Sequence, residues 1–189
     1  MSTDSGRRRR ADAVRNRELA LAAATALLSE PGAGLTVEAI AQRAGLGSAT
    51  VVRAFGGKDA LLDAAVAGLL EPVVQRARDL LHEAAPEQAL RTFLAELIAF
   101  QSAHHAINDQ LSGLDLPATA ALRADLVRTV EEMLAGARRE GAIRTDLDPA
   151  VATTLIGETA YAIARSRPTE QLTGAYITVL MDGLRPPSR

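Results

Sequence analysis

At 189 residues and without cysteine, the chain is long enough for one substantial core, or for a small domain packed on a larger one, and it excludes disulfides and thiolate metal sites. No run approaches ~18 consecutive apolar residues, and the N-terminal MSTDSGRRRRADAVRN lacks the apolar stretch of a secretory signal, so a soluble, cytoplasmic protein is expected. The net charge of −2 is unevenly spread: residues 1–58 hold nine Lys/Arg against five Asp/Glu, residues 59–189 twelve against eighteen, so a polyanion would bind at the basic end, although ordinary solvated charge gives the same split.

Helical spacing recurs along the chain and apolar/polar alternation is nowhere sustained, which predicts an all-α fold of about nine helices. The basic run Arg7-Arg8-Arg9-Arg10 is expected as an arm ahead of the first helix, able to reach a minor groove or flanking phosphates, or else as a flexible tail. That helix is predicted over residues 11–29, with Val14, Leu21, Thr25 and Leu28 on one face, and Pro31 and Gly32 beyond it. Thr36 suits the N-cap of a short second helix carrying Ile40, Ala41 and Ala44 inward and stopped by Gly45. After the turn Gly45-Leu46-Gly47, residues 48–55 form a third helix that ends at Gly56-Gly57, and the pair makes a helix-turn-helix. Lys58 opens a fourth helix with Leu61, Leu62, Ala65, Val66 and Leu69 on its apolar face and a kink expected at Pro72. Further helices are predicted over residues 86–111, 117–141, 148–167 and 168–184.

Residues 35–62, LTVEAIAQRAGLGSATVVRAFGGKDALL, resemble the DNA-binding signature of the TetR family of bacterial regulators in residue type, turn length and the following lysine. Beyond this segment the resemblance rests on the helix count and on residues 141–149, which resemble the entry to the family's last two helices. The resemblance implies a DNA-binding domain over residues 1–57, including the basic arm, and a helical effector-binding and dimerisation domain over residues 58–189. It also implies phosphate contacts from Thr36 and Lys58, whose plainer roles are an N-cap and a solvated surface lysine. Two departures stand out: Val52 where the family commonly has an aromatic, and Ala54 where it commonly has His, both of which help hold the DNA backbone.

The spacing itself makes Ile40, Ala44, Leu46, Val51 and Phe55 a small core, and leaves Gly47, Ser48, Ala49, Thr50 and Arg53 at the start and outer face of the third helix, the element that enters the major groove. Ser48 suits a base-edge hydrogen bond, Ala49 a thymine methyl, and Arg53 a guanine or, failing that, a phosphate. One such motif reads too few base pairs, so a homodimer on a near-palindromic operator is expected. Its surface should come from the last two helices, through Leu155, Ile156, Thr159 and Ile163 and through Leu172, Tyr176, Val179, Leu180 and Leu184, with the partner-facing flank left open.

A small apolar or amphipathic effector is expected among the middle helices, against Leu62, Phe93, Leu97, Phe100, Val130 and Met133, with Leu69 and Leu126 continuing the stripe. Such a stripe is far more often plain core than a ligand site. Gln101, His104 and Asn108 intrude on it at helical spacing, as a hydrogen-bonding wall or an exposed polar edge. Nothing calls for a cofactor or a metal. The histidines are His82, His104 and His105, the adjacent pair points about 100° apart, and no His-Glu-x-x-His, phosphate loop or nucleophile elbow is present, so an enzyme is not expected. The reading is a ligand-released repressor. Its alternative is a helical adaptor or architectural DNA-binding protein without sequence recognition.

Overall fold

The computed structural model describes residues 3–30, 33–104, 107, 111 and 114–187. Eight helices and no strand occur among the described residues: α1 (Thr3–Leu28), α2 (Val37–Ala44), α3 (Ser48–Phe55), α4 (Lys58–Glu83), α5 (Pro86–Ala103), α6 (Pro117–Arg139), α7 (Pro149–Arg165) and α8 (Glu170–Leu184). The chain folds into two compact units. One comprises residues 1–70 and 106–120, the other residues 71–105 and 121–189, so the division falls inside α4, twelve residues or so beyond the glycine pair.

In the N-terminal unit, α1 buries Ala20, Ala23, Ala24, Leu27 and Leu28, a repeat of three and four that turns one narrow, mostly methyl-sized face inward. The inward face begins only at Ala20. Val14 is therefore 57% exposed instead of lining it, which corrects the expected face. The helix also begins earlier than residue 11: Arg7–Arg10 are part of α1 and exposed, so the basic run is a helical segment and not an arm preceding the helix. Thr36 caps α2, its Oγ1 accepting from the Ala39 amide at 3.1 Å. Gly45 ends α2 with φ of 66°, a left-handed conformation that costs an L side chain about 1 kcal/mol or more, while the Leu46 amide donates back to the Ala41 carbonyl at 2.9 Å. This closure sets the short turn into α3. Ile40 and Val51 meet α1 and the first half of α4, represented by Leu61, Leu62, Ala65 and Val66, in a single core that also takes up Ile107 and Leu111.

Two features tie α4 into this unit. Gly56 and Gly57, with φ of 83° and 153°, join α3 to α4 through backbone conformations that L side chains rarely adopt. Asp63, 6% exposed, caps the first turn of α6 from outside it, accepting from the Ala118 amide at 2.9 Å, the Thr119 amide at 2.8 Å and the Thr119 hydroxyl at 2.7 Å. The four orphan amides that open any helix are thereby partly satisfied by a carboxylate distant in sequence. α4 then runs on through Pro72 to Glu83 as one helix.

The C-terminal unit is built around Phe93, which is fully buried with Leu90, Leu94 and Ile98 of α5, Met133 and Leu134 of α6, Ile156 of α7, and Ile177 and Met181 of α8. Burying a ring of that size removes ~2–3 kcal/mol worth of apolar surface from water. α6 passes so close to the start of α5 that a Cβ on Gly136 would lie 2.8 Å from Pro86 Cγ and 2.9 Å from Pro86 Cβ. Asp148 caps α7 by accepting from the Ala150 and Val151 amides, and Thr169 caps α8. α5 ends at Ala103, short of the expected residue 111, with the His104 amide closing on the Phe100 carbonyl at 3.1 Å. Gln101 therefore lies in the last turn of α5 and His104 just past it, while Asn108 lies outside the described residues.

Candidate nucleic-acid interface

The eight-residue α3 splits cleanly by face. Val51 is buried, Ser48 and Thr50 are half-buried, and Ala49, Val52 and Arg53 are exposed. Gly47 supplies no side-chain cap to α3, so its first turn presents backbone amides together with the small side chains Ser48 and Ala49, a combination suited to close approach of a polyanion. Arg53, on the last turn, makes one long contact, from Nη2 to Thr50 Oγ1 at 3.4 Å. Such a bond is near the limit of useful geometry and is easily exchanged for a base or phosphate. Thr36 and Lys58 are both exposed, at the start of α2 and of α4. The Thr36 oxygen is engaged as an acceptor by Ala39, which leaves its O–H to donate. All seven expected contacts, Thr36, Gly47, Ser48, Ala49, Thr50, Arg53 and Lys58, thus belong to the N-terminal unit and none is buried.

A residue that sequence patterning passes over also touches α3. Arg17, exposed on α1, donates from Nη1 to the Ala54 carbonyl at 2.6 Å, and its guanidinium carbon stands 4.0 Å from the centroid of the Phe55 ring. Elsewhere on this unit Arg43 of α2 pairs with Glu30 at 2.7 Å.

The expected effector residues divide between the units. Leu62 is buried in the N-terminal core. Phe93, Leu97, Val130 and Met133 are buried together in the C-terminal core, and Phe100, Gln101 and His104 are half-buried in that unit. The His104 ring lies 4.5 Å from that of Phe100, and its Nδ1 is 2.8 Å from the Phe100 carbonyl, which can only accept. Nδ1 therefore carries a proton in this contact. Gln101 Oε1 is buried with no partner among the described residues, a costly state for a polar atom. A cleft of about 160 Å³ opens beside α4, lined by Pro72, Val73, Arg76, Phe93 and Glu96. That is smaller than the several hundred Å³ usual for a drug-sized ligand. Arg76 spans its edge, bonded to Glu83 at 2.8 Å and to Glu96 at 3.1 Å, and these carboxylates raise its already high pKa.

On the last two helices the outward flank is defined. Ile156 and Leu184 belong to the core, Ile163 and Leu180 are half-buried, and the large apolar residues left exposed are Val151, Leu155, Leu172 and Val179, the last 72% accessible. Thr159 Oγ1 and Tyr176 Oη are joined at 2.7 Å and fasten α7 to α8. Burial raises the Tyr176 pKa, so the phenol is neutral at physiological pH.

Two family models match. Residues 20–65 fit the bacterial regulatory proteins of the tetR family, and residues 85–186 fit the C-terminal domain described as transcriptional regulator SbtR-like. Among solved structures, the TetR transcription regulatory protein from Mycobacterium vanbaalenii is 34% identical, with 94% of this chain and 99% of that one aligned at a TM-score of 0.63. A TetR transcriptional regulator from Streptomyces coelicolor is 28% identical over 91% of this chain and 99% of its own, at 0.64. The regulator FadR from Bacillus subtilis, solved in complex with stearoyl-CoA, shares the fold at 0.72 with 19% identity, over 89% of this chain and 99% of its own. No functionally curated protein matches the sequence.

Proposed function

Because the chain belongs to the TetR family of bacterial transcriptional regulators, we propose that it works as a homodimeric repressor, released from a near-palindromic operator when a small apolar or amphipathic molecule binds its C-terminal unit. The observation that carries this reading is α3: a short helix with one buried face, set by a left-handed glycine turn, that presents Ala49 and Arg53 to solvent. Ser48, Ala49 and Arg53 read bases, Thr36, Thr50 and Lys58 hold phosphates, and Gly47 lets the backbone come close. The exposed flank of α7 and α8, with Val151, Leu155, Leu172 and Val179, is the surface offered to a second copy, giving a four-helix contact. Pairing spaces two α3 helices about one DNA turn, ~34–36 Å, apart.

For the effector, the proposed wall is Phe93, Leu97, Phe100, Gln101, His104, Val130 and Met133. Gln101 supports it most directly, since a ligand group would satisfy its buried oxygen. A molecule that binds better when the α3 helices are wrongly spaced must lower DNA affinity by the same factor that DNA lowers its own. α4 is suited to carry this, being joined to α3 by two glycines only. None of the described helices is long and apolar enough to cross a membrane, which fits a regulator working on cytoplasmic DNA.

The deciding experiment is selection of bound duplexes from a random pool by the purified full chain at near-physiological salt. Recovery of a near-palindrome is expected. A folded dimer that enriches no site would favour the sequence-blind architectural reading, to which Val52 and Ala54 lend some weight.

A further inference from the structure

α3 is two turns long, too short to hold its own shape, and its direction must be set by what it touches. Val51 anchors its middle in the core, and the Gly56 amide satisfies the Val52 carbonyl at 2.8 Å. The later carbonyls are orphans of the helix end, and there Arg17 intervenes. Its Nη1 meets the Ala54 carbonyl at 2.6 Å while the guanidinium lies over the Phe55 ring at 4.0 Å, so one side chain grips two consecutive residues at the end of α3. Position and charge both suit this: a cation at a helix C-terminus complements the macrodipole, and 4.0 Å is well inside the ~6 Å reach of a cation–π contact. Arg17 is itself firmly based, because the buried face of α1 starts three residues on at Ala20.

We propose that Arg17 is a positioning residue for DNA recognition: it fixes the C-terminal end of α3 to α1 and so holds Arg53, one residue before Ala54, in register with the bases. This rests on α3 being the DNA-reading helix. The grip uses an N–H at the edge of a planar guanidinium together with its flat face over the ring, two contacts that the compact ammonium of a lysine does not make in the same geometry. The competing role for an exposed arginine on this unit is a direct phosphate contact, and the two roles behave differently.

Arg17→Met keeps the apolar stem and removes the cation; Arg17→Lys keeps the cation and removes the fork. Amide hydrogen exchange over residues 48–56 in the DNA-free protein should quicken in both variants. Affinity for a duplex recovered by selection should fall about tenfold in both, and less on a random duplex, with the slope of affinity against salt unchanged. A shallower salt slope, by about one unit, in Arg17→Met with affinity kept by Arg17→Lys would make Arg17 a phosphate contact and overturn the proposal. Unchanged exchange in both variants would overturn it as well. The exchange measurement needs no DNA, so failure of Arg17 as a positioner is distinguishable from failure of DNA reading itself.

Discussion

Arg53 gives up little to leave its place, since its one contact to Thr50 is long and exposed, and this is the state wanted in a side chain that must find a base edge. Arg53→Ala is expected to cost about 1–3 kcal/mol of discrimination, measured as the affinity ratio between a selected and a random duplex. Equal losses on both would reduce Arg53 to a phosphate contact. Asp63 is the opposite case, a carboxylate with every reason to stay. Burial pushes its pKa up, but the amides of Thr119 and Ala118 and the Thr119 hydroxyl outweigh this and hold it below the ordinary value. With the folded pKa the lower one, its stabilisation is complete above the unfolded pKa of ~3.9 and is lost as pH falls through the folded value. The thermal midpoint of Asp63→Asn should therefore lie well below that of the parent at neutral pH, and the gap should close below pH ~4. A gap of constant size across that range would mean the charge contributes nothing. Thr36 and Gly45 are legible in the sequence because a cap acts within three or four residues. Asp63 and Arg17 are not, because their partners lie 56 and 37 positions away and no local pattern records them.

At the scale of elements, periodicity finds a helix only where there is an apolar face to count. The first turns of α1 are polar throughout, so a reading that seeks such a face starts too late, although Arg7–Arg10 are helical. The error at the end of α5 runs the other way: apolar spacing continues past Ala103, but the backbone closes at His104 without a glycine or proline to announce it. Close packing between helices is equally silent in sequence. Gly136 looks like a weak point of α6, where alanine would improve helix propensity by about 1 kcal/mol. The Pro86 ring can move its Cγ, 2.8 Å from where the new methyl would sit, only by repuckering, and its Cβ at 2.9 Å is held by the backbone. Gly136→Ala is thus expected to lose about 1–2 kcal/mol net in urea unfolding. A gain would show that the start of α5 can shift aside.

For the whole molecule, sequence patterning yields one apolar stripe on each of α7 and α8 and cannot choose which flank faces core and which a partner, since both uses want the same residues. The fold chooses: Ile156 and Leu184 go inward, Leu155 and Val179 outward. Leu155→Arg and Val179→Glu should each leave helicity intact while shifting sedimentation from dimer to monomer and abolishing binding to the selected duplex. Monomers that still bound it tightly would remove the need for paired heads. The division of cores inside α4 bears on how such a regulator could be taken apart. A graft of its DNA-reading head onto a foreign sensor, cut at the glycine pair, would leave behind Leu61, Leu62, Ala65 and Val66, and with them much of the oil that keeps α2 and α3 folded. A head carried to residue 70 would keep those four side chains, but Ile107, Leu111 and the Asp63 bonds to Ala118 and Thr119 come from a separate stretch of chain, so a contiguous cassette is expected to be less stable than the same head in its own protein.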